Sequence, residues 1–260
     1  MNLGVITYEQ PMNEQMRLNL RLEQLFQQLD HHMQAFSRQN SQFALETITA
    51  IMGLTDRPDL KTKLAQTLSQ QVNSLMRLEQ SPDVDAEKLQ DLLHRLDCLV
   101  DVLNRGGRGK FAEELRDNIF LKNIQQQLLH HAASAHISSP AYLLWLHQSE
   151  QQREQDLRQW SQVLQPMRDA VNYILYLLRH TATKQSVNAT NTFYQQSLNA
   201  NLSCQMVRIT LPVNYGVYPR TSVGRHRLSI RFEALQTEFP FENKQKVRAE
   251  FPFELSCCYT

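Results

Sequence analysis

The spacing of apolar residues changes once along this chain, from three or four positions over the first two-thirds to two over the last third. Side chains repeat every 3.6 residues on a helix and every second residue on a strand, so one segment cannot satisfy both periods. The chain is therefore expected to be helical first and β-structured afterwards. Leu22, Leu25, Phe26, Leu29, Met33 and Phe36 make one apolar stripe, and Phe43, Ile48, Ile51 and Met52 predict a second helix over 41–54. A third is expected with Pro58 in its first turn and Leu60, Leu64, Leu68, Val72 and Leu75 inward. A fourth begins at Asp85, carries Leu89, Leu92, Leu93, Leu96, Leu99, Val100 and Leu103, and stops at Gly106-Gly107 as a C-cap. A fifth helix is predicted over about 111–129. After a break at Ser138-Ser139-Pro140 two more follow, over about 149–164 and 167–183, parted by Pro166. No repeat recurs along these segments, so they read as a bundle rather than a solenoid.

From about residue 203 the pattern alternates. Gln205, Val207, Ile209 and Leu211 share one face of a first strand. In the second, His226, Leu228, Ile230 and Phe232 share a face, with Arg225, Arg227, Ser229, Arg231 and Glu233 opposite. In the third, Ala249, Phe251, Phe253, Leu255 and Cys257 point one way, and Pro252, which has no N–H to give a ladder, predicts an edge strand or a bulge. Residues 184–202, rich in Asn, Gln, Ser and Thr, read as a loop. The expected architecture is α+β: an N-terminal multi-helix bundle domain over 1–183, then a linker and small antiparallel β-sheet domain over 184–260.

Composition agrees with that division. Glycine and proline together are 16 of 260 residues, about half the usual share, which argues against phosphate-cradling loops and hairpin-rich sandwiches. The net charge is +1, but the last 80 residues carry nine Lys/Arg against five Glu and no Asp. They also hold ten of the 19 Phe and Tyr residues, a composition suited to strands. A balanced charge excludes a polybasic nucleic-acid coat, though not a local basic patch. The four cysteines include no CxxC pair and form no disulfide framework. Met1 to Glu14 lack a signal pattern, and the longest apolar run, 173–178, is too short to span a bilayer. A soluble, cytoplasmic protein without membrane attachment is expected.

No catalytic constellation emerges. The pairs His31-His32 and His130-His131 point about 100° apart on a helix, HExxH is absent, and no GxSxG, Walker or dinucleotide-binding glycine pattern occurs. Cys257-Cys258 alternate faces on a strand, so Cys257 reads as a small core residue rather than half of a redox pair. No enzyme activity, cofactor or metal is expected. Arginines carry more information. Arg225, Arg227 and Arg231 concentrate positive charge on one strand face, and the bland alternative is cross-strand pairing with Arg248, Glu250 and Glu254. Arg17 and Arg21 stand one turn apart near the front, and Arg116 lies between Glu114 and Asp117 in the manner of a surface ion pair. A guanidinium cluster suits an acidic peptide or a phosphate.

Gly224-Arg225-His226-Arg227-Leu228-Ser229-Ile230-Arg231-Phe232 and Phe253-Glu254-Leu255-Ser256-Cys257-Cys258 resemble the closing signatures of the ZapD family, division-ring stabilisers of proteobacteria. Phe193-Tyr194-Gln195, Tyr218-Pro219, Leu115-Arg116-Asp117-Asn118 and Trp145-Leu146 resemble that family in the same order. So do Tyr8 through Arg17 and Leu20-Arg21-Leu22-Glu23, so the resemblance spans nearly the whole chain. It implies a non-enzymatic, homodimeric adaptor with a helical and a β domain. Such an adaptor binds the C-terminal tail of FtsZ and bundles its filaments at the division site. By position it implies tail binding through Arg17, Arg21, Arg116, Arg225, Arg227 and Arg231. The family's basic stretch after the Leu-Arg-Asp-Asn motif is Gln125-Gln126-Gln127 here, and the following family turn is replaced over 131–140. Two other readings of the residues remain: a scaffold for a different division protein, and a weak nucleic-acid or phosphate binder. The second would use the arginine face with Tyr215 and Tyr218 as stacking rings.

Overall fold

The computed structural model describes residues 4–57, 59–77, 84–105, 111–130, 139–198, 203–224, 226–235 and 250–259. The chain divides into two compact units, Met1–Leu18 with Tyr176–Thr260, and Asn19–Leu175. The elements are β1 (Val5–Pro11), α1 (Glu14–His32), α2 (Arg38–Leu54), α3 (Leu60–Met76), α4 (Ala86–Asn104), α5 (Glu113–Asp117), α6 (Ile119–His130), α7 (Pro140–Leu146), α8 (Glu150–Val163) and α9 (Gln165–His180). There follow β2 (Lys184–Thr190), β3 (Phe193–Ser197), β4 (Cys204–Pro212), β5 (Val217–Val223), β6 (Arg227–Ala234) and β7 (Glu250–Tyr259). The fold class is α+β, with helices preceding an antiparallel sheet.

In the helical unit most residues of the expected stripes are buried, although Phe43 of α2 is exposed. Leu22, Leu25, Phe26 and Leu29 of α1, the five inward residues of α3, and Leu89, Leu93, Leu96, Leu99 and Leu103 of α4 are all buried. Local caps set the starts: Ser37 Oγ accepts from Asn40 N–H at α2, and Asp85 accepts from Lys88 N–H at α4. Lys61 Nζ at the front of α3 donates to Arg105 O just past α4, at 2.8 Å, so these two helices run antiparallel. The predicted fifth helix is interrupted. Asn118 leaves the helical conformation and its Oδ1 accepts from Leu121 N–H, ending α5 and capping α6. The short helix α7, for which no element was expected, starts on Ser139 with Pro140 in its first turn. Pro58 and Gly106-Gly107, expected as a helix start and a helix stop, lie outside the described residues.

The strand unit departs further from the sequence reading. Its seven strands run in the order β1-β4-β7-β2-β3-β6-β5, every pairing antiparallel. Residues 184–197, expected as loop, form β2 and β3, and the N-terminal β1 pairs β4 over seven residues from Val5↔Pro212 to Pro11↔Met206. Between β2 and β3 the ladder is a single pair, Thr190↔Phe193, closed by Asn191 and Thr192 at φ 53° and 58°. Two left-handed residues make the hairpin turn that matches strand twist, although a β-branched threonine there costs about 1–2 kcal/mol. At this turn the sheet folds back on itself. Phe232 on β6 meets Phe251 and Phe253 on β7 with ring centroids 5.0 Å apart. In a flat sheet, three strand spacings would separate β6 from β7 by about 14 Å. Val207, Ile209, Leu211, Leu228, Ile230, Phe232, Phe251, Phe253 and Leu255 fill the space between the halves.

Pro252 corrects the expectation of an edge strand or bulge. β7 is interior, flanked by β4 and β2, and the ladder with β4 ends at Thr210↔Glu254, before Pro252 needs to donate to it. The bulge instead lies on β4, between Cys204 and Met206. Glu9 of β1 fastens this half of the sheet to the end of α9. Its carboxylate accepts from Arg179 Nε at 2.8 Å and Nη2 at 2.7 Å, and from Arg208 Nε at 2.9 Å. All three side chains are largely buried.

Candidate functional site

Alternation along β6 separates its residues as the sequence predicts. Leu228, Ile230 and Phe232 are buried, while Arg227 and Arg231 are exposed on the outer face. The register supplies their neighbours. Arg231 sits directly opposite Phe193 of β3 and Arg220 of β5; Ser229 lies between Gln195 and Ser222; Arg227 is opposite Ser197. Opposed residues of an antiparallel pair share a face, so Arg220, Arg227 and Arg231 make one exposed basic surface with the half-exposed ring of Phe193 at its side. Glu233, opposite Tyr218, is the acid of this face. It accepts from Tyr218 Oη at 2.9 Å and Arg220 Nη1 at 3.1 Å. These two donors hold its carboxyl below the ordinary glutamate range, the Tyr218 bond first and the Arg220 bond next. Among the described residues of β5 and β6, three guanidinium groups against one carboxylate leave the face cationic. Two of them directly opposed on neighbouring strands repel, a cost that an anionic partner would relieve.

The expected pairing of the β6 arginines with Glu250 and Glu254 does not form. Those acids stand on β7, whose ladder partners are β2 and β4, whereas β6 pairs with β3 and β5. Arg225 and Arg248 lie outside the described residues. Tyr215 and Tyr218, considered together as stacking rings, part company. Tyr215 packs edge-on against Phe251 at 5.3 Å beside the core cluster, and Tyr218 stands on the outer face with Glu233.

The remaining predicted arginines have different surroundings. Arg17 is exposed and paired with Glu14 one turn earlier; Arg21, also exposed, donates to Gln24 Oε1 at 2.8 Å. Arg116 is only 17% exposed, and it turns away from its sequence neighbours. Its Nη2 donates to the backbone oxygen of Thr55 at 2.5 Å and to Thr55 Oγ1 at 2.7 Å, with Asp56 at 3.5 Å. Thr55 is the C-cap of α2, so this guanidinium meets the negative end of that helix. Arg17, Arg227 and Arg231 belong to the unit that contains the sheet, and Arg21 and Arg116 to the helical unit.

Arg220 is the residue that sequence reasoning missed. Residues 217–223 alternate weakly and include Pro219, so no strand was expected there, and only the β5–β6 register puts Arg220 beside Arg231. A second concavity, of about 460 Å³, lies on the other half of the sheet between Thr7, Thr210, Lys184, Arg208 and Glu254. Its charges are matched internally, Arg208 by Glu9 and Lys184 by Glu254 at 3.9 Å, so it offers an anion less than the β6 face does. No described helix is long and apolar enough to cross a membrane.

Comparison with known proteins yields one consistent match. The profile of the ZapD family, described as cell division protein, matches residues 20–231. A protein of Coxiella burnetii named "Cell division protein ZapD" is 43% identical over 253 residues, covering 97% of both chains. Proteins of the same name from Bordetella petrii and Idiomarina loihiensis are each 32% identical; the alignments cover 98% and 97% of this chain, and 99% and 96% of theirs.

Proposed function

The chain belongs to the ZapD family of cell division proteins, and from that premise we propose that it is a non-enzymatic adaptor for the C-terminal tail of FtsZ. As a homodimer it cross-links FtsZ filaments at midcell in the cytoplasm. The observation that carries the reading is the outer face of β6, where Arg227 and Arg231 stand exposed and Arg220 joins them through the register of β5. A planar guanidinium pairs bidentately with carboxylates, and several on one extended face suit an acidic peptide laid along the strands. Arg17, Arg21 and Arg225 are proposed for tail binding by family position alone. Arg116 serves it by fixing the end of α2, since its Nη2 is already engaged by Thr55. Bundling follows from valence. A two-fold dimer presents two identical sites and a filament presents many tails, so modest single-site affinity becomes avid binding.

The test is titration of a labelled peptide carrying the host FtsZ tail, followed by anisotropy at two salt concentrations. Saturable binding that weakens with salt is expected, because part of the attraction is charge pairing. Loss of binding and filament bundling in Arg227→Glu, with the protein still folded, assigns the face. A peptide that fails to bind folded wild-type protein at low salt would overturn the reading.

A further inference from the structure

Three of the four cysteines meet near one end of the β4–β7 ladder, and the register divides them between its two faces. Cys204 opens β4 opposite Tyr259, and Cys257 lies two residues before Tyr259 on β7. Tyr259 and Cys257 point to the same face, and Cys204, as the ladder partner of Tyr259, shares it. The extra residue of the bulge, Gln205, lets β4 draw Cys204 back along β7 toward Cys257, and both side chains pack against the same core cluster. Both are half-buried at the margin of the core cluster, so a small solute reaches them. Cys258 faces the other way and is fully buried, and Cys98 is exposed on α4.

The surroundings of the pair are also unequal. Cys204 and Tyr259 beside it, with the Gln196 amide that donates to the Cys257 sulfur at 3.3 Å, hold that thiol below its ordinary range despite burial. Cys204 is driven the opposite way, first by Cys257 beside it and then by burial, and its S–H donates to Met206 O at 3.6 Å. One sulfur is poised as the nucleophile and the other as the thiol that resolves it.

We propose that Cys204 and Cys257 form a peroxide-sensitive thiol pair, a modification site at which an intrachain disulfide joins β4 to β7. In the first step the Cys257 thiolate attacks a peroxide oxygen. An S–O bond forms, the O–O bond breaks, and the departing hydroxide takes a proton to become water; Cys257 is oxidised to sulfenic acid and the peroxide is reduced. In the second step the Cys204 sulfur attacks the Cys257 sulfur. The S–S bond forms, the S–O bond breaks, and hydroxide leaves as water with the proton of Cys204. The sum is two thiols and one hydrogen peroxide giving one disulfide and two waters.

The test uses the full wild-type chain with hydrogen peroxide, intact mass spectrometry, and alkylation after denaturation. The expected result is a mass loss of two hydrogens and a fall in alkylatable thiols from four to two per chain, both recovered by a dithiol reductant. Peptide mapping should place the bond between Cys204 and Cys257. In Cys204→Ser the mass loss should vanish and Cys257 should become trappable by dimedone, while Cys258→Ser should oxidise as wild type does. A Cys257–Cys258 bond, a cross-link through Cys98, or four thiols still alkylatable after peroxide would each overturn the proposal. The wild-type mapping requires no variant, so a Cys204→Ser protein that failed to fold would leave it decided.

Discussion

The buried arginines of the helical unit and the exposed arginines of β5 and β6 do opposite work. In the helical unit, Arg153 is 6% exposed and pairs with no carboxylate among the described residues. Its guanidinium donates instead to Ser41 Oγ, Phe36 O, Leu146 O and Gln148 O, tying the entry of α2 to the α7–α8 connection. Arg116 closes the end of α2, and Arg168 pairs with Asp30 at 2.9 Å while lying over the ring of Phe26 at 4.9 Å. In the strand unit, Arg220 is 70% exposed and Arg227 and Arg231 are also out in solvent. The difference lies in acceptors. A guanidinium buried among carbonyl oxygens is structural, because removing it strands several buried acceptors at once. One on an open strand face has water as its competitor and keeps its capacity for a partner.

The largest effect should come from Arg153. Arg153→Met keeps the aliphatic stem but removes a donor from three backbone oxygens and a hydroxyl, of which Phe36 O keeps only Ser41 Oγ, and should destabilise by about 3 kcal/mol in urea unfolding. A loss below about 1 kcal/mol would break the contrast between the units. Arg116→Ala should cost about 1–2 kcal/mol through the C-terminal end of α2. Any loss of tail-peptide binding in this variant should disappear under conditions where it is fully folded. Arg227→Glu and Arg231→Glu should change stability by no more than about 0.5 kcal/mol, yet weaken peptide binding at low salt at least about tenfold. A fifth substitution sharpens the surface side of the comparison. Arg220→Gln removes both the like charge directly opposite Arg231 and the ion pair with Glu233, so stability should change by no more than about 0.5 kcal/mol while peptide affinity falls.

The smallest effect concerns acid. Glu233 has a folded pKa below its ordinary value, so its ties to Tyr218 and Arg220 contribute fully above the ordinary carboxylate pKa and fade as pH falls through the depressed one. The Tm difference between wild type and Glu233→Gln should therefore shrink on acidification. A difference independent of pH would mean that the carboxylate charge is not what holds Arg220. Glu233→Gln should also bind the acidic peptide more tightly at neutral pH, since the face loses its one carboxylate.

How far such contrasts could be read in advance depends on the distance over which each is set. The stripes of α3 and α4 and the alternation of β6 come from neighbours within one or two turns, so period alone marks their buried faces. Arg153 sits in the run Glu150-Gln151-Gln152-Arg153-Glu154-Gln155-Asp156, where nothing in the residue types marks one cation as buried. Its acceptors come from as far away as Phe36, 117 residues distant. β2 and β3 are rich in Gln, Asn and Ser, a composition that reads as loop. They are strands because β7 and β6 supply ladders to them.

Sequence by itself determined the order of helix and strand, the inward residues of the long helices, the outward placing of Arg227 and Arg231, and, through its motifs, the family. These are local or inherited properties, carried by spacing and by residue identity. Tertiary structure alone decided that an N-terminal strand joins the sheet, that Arg220 stands beside Arg231, that Arg116 is spent on Thr55, and that Cys204 meets Cys257 rather than Cys258. Each depends on the register between segments far apart in the chain. Register is set by the sum of many weak contacts across the sheet and core, and no single stretch of sequence contains that sum.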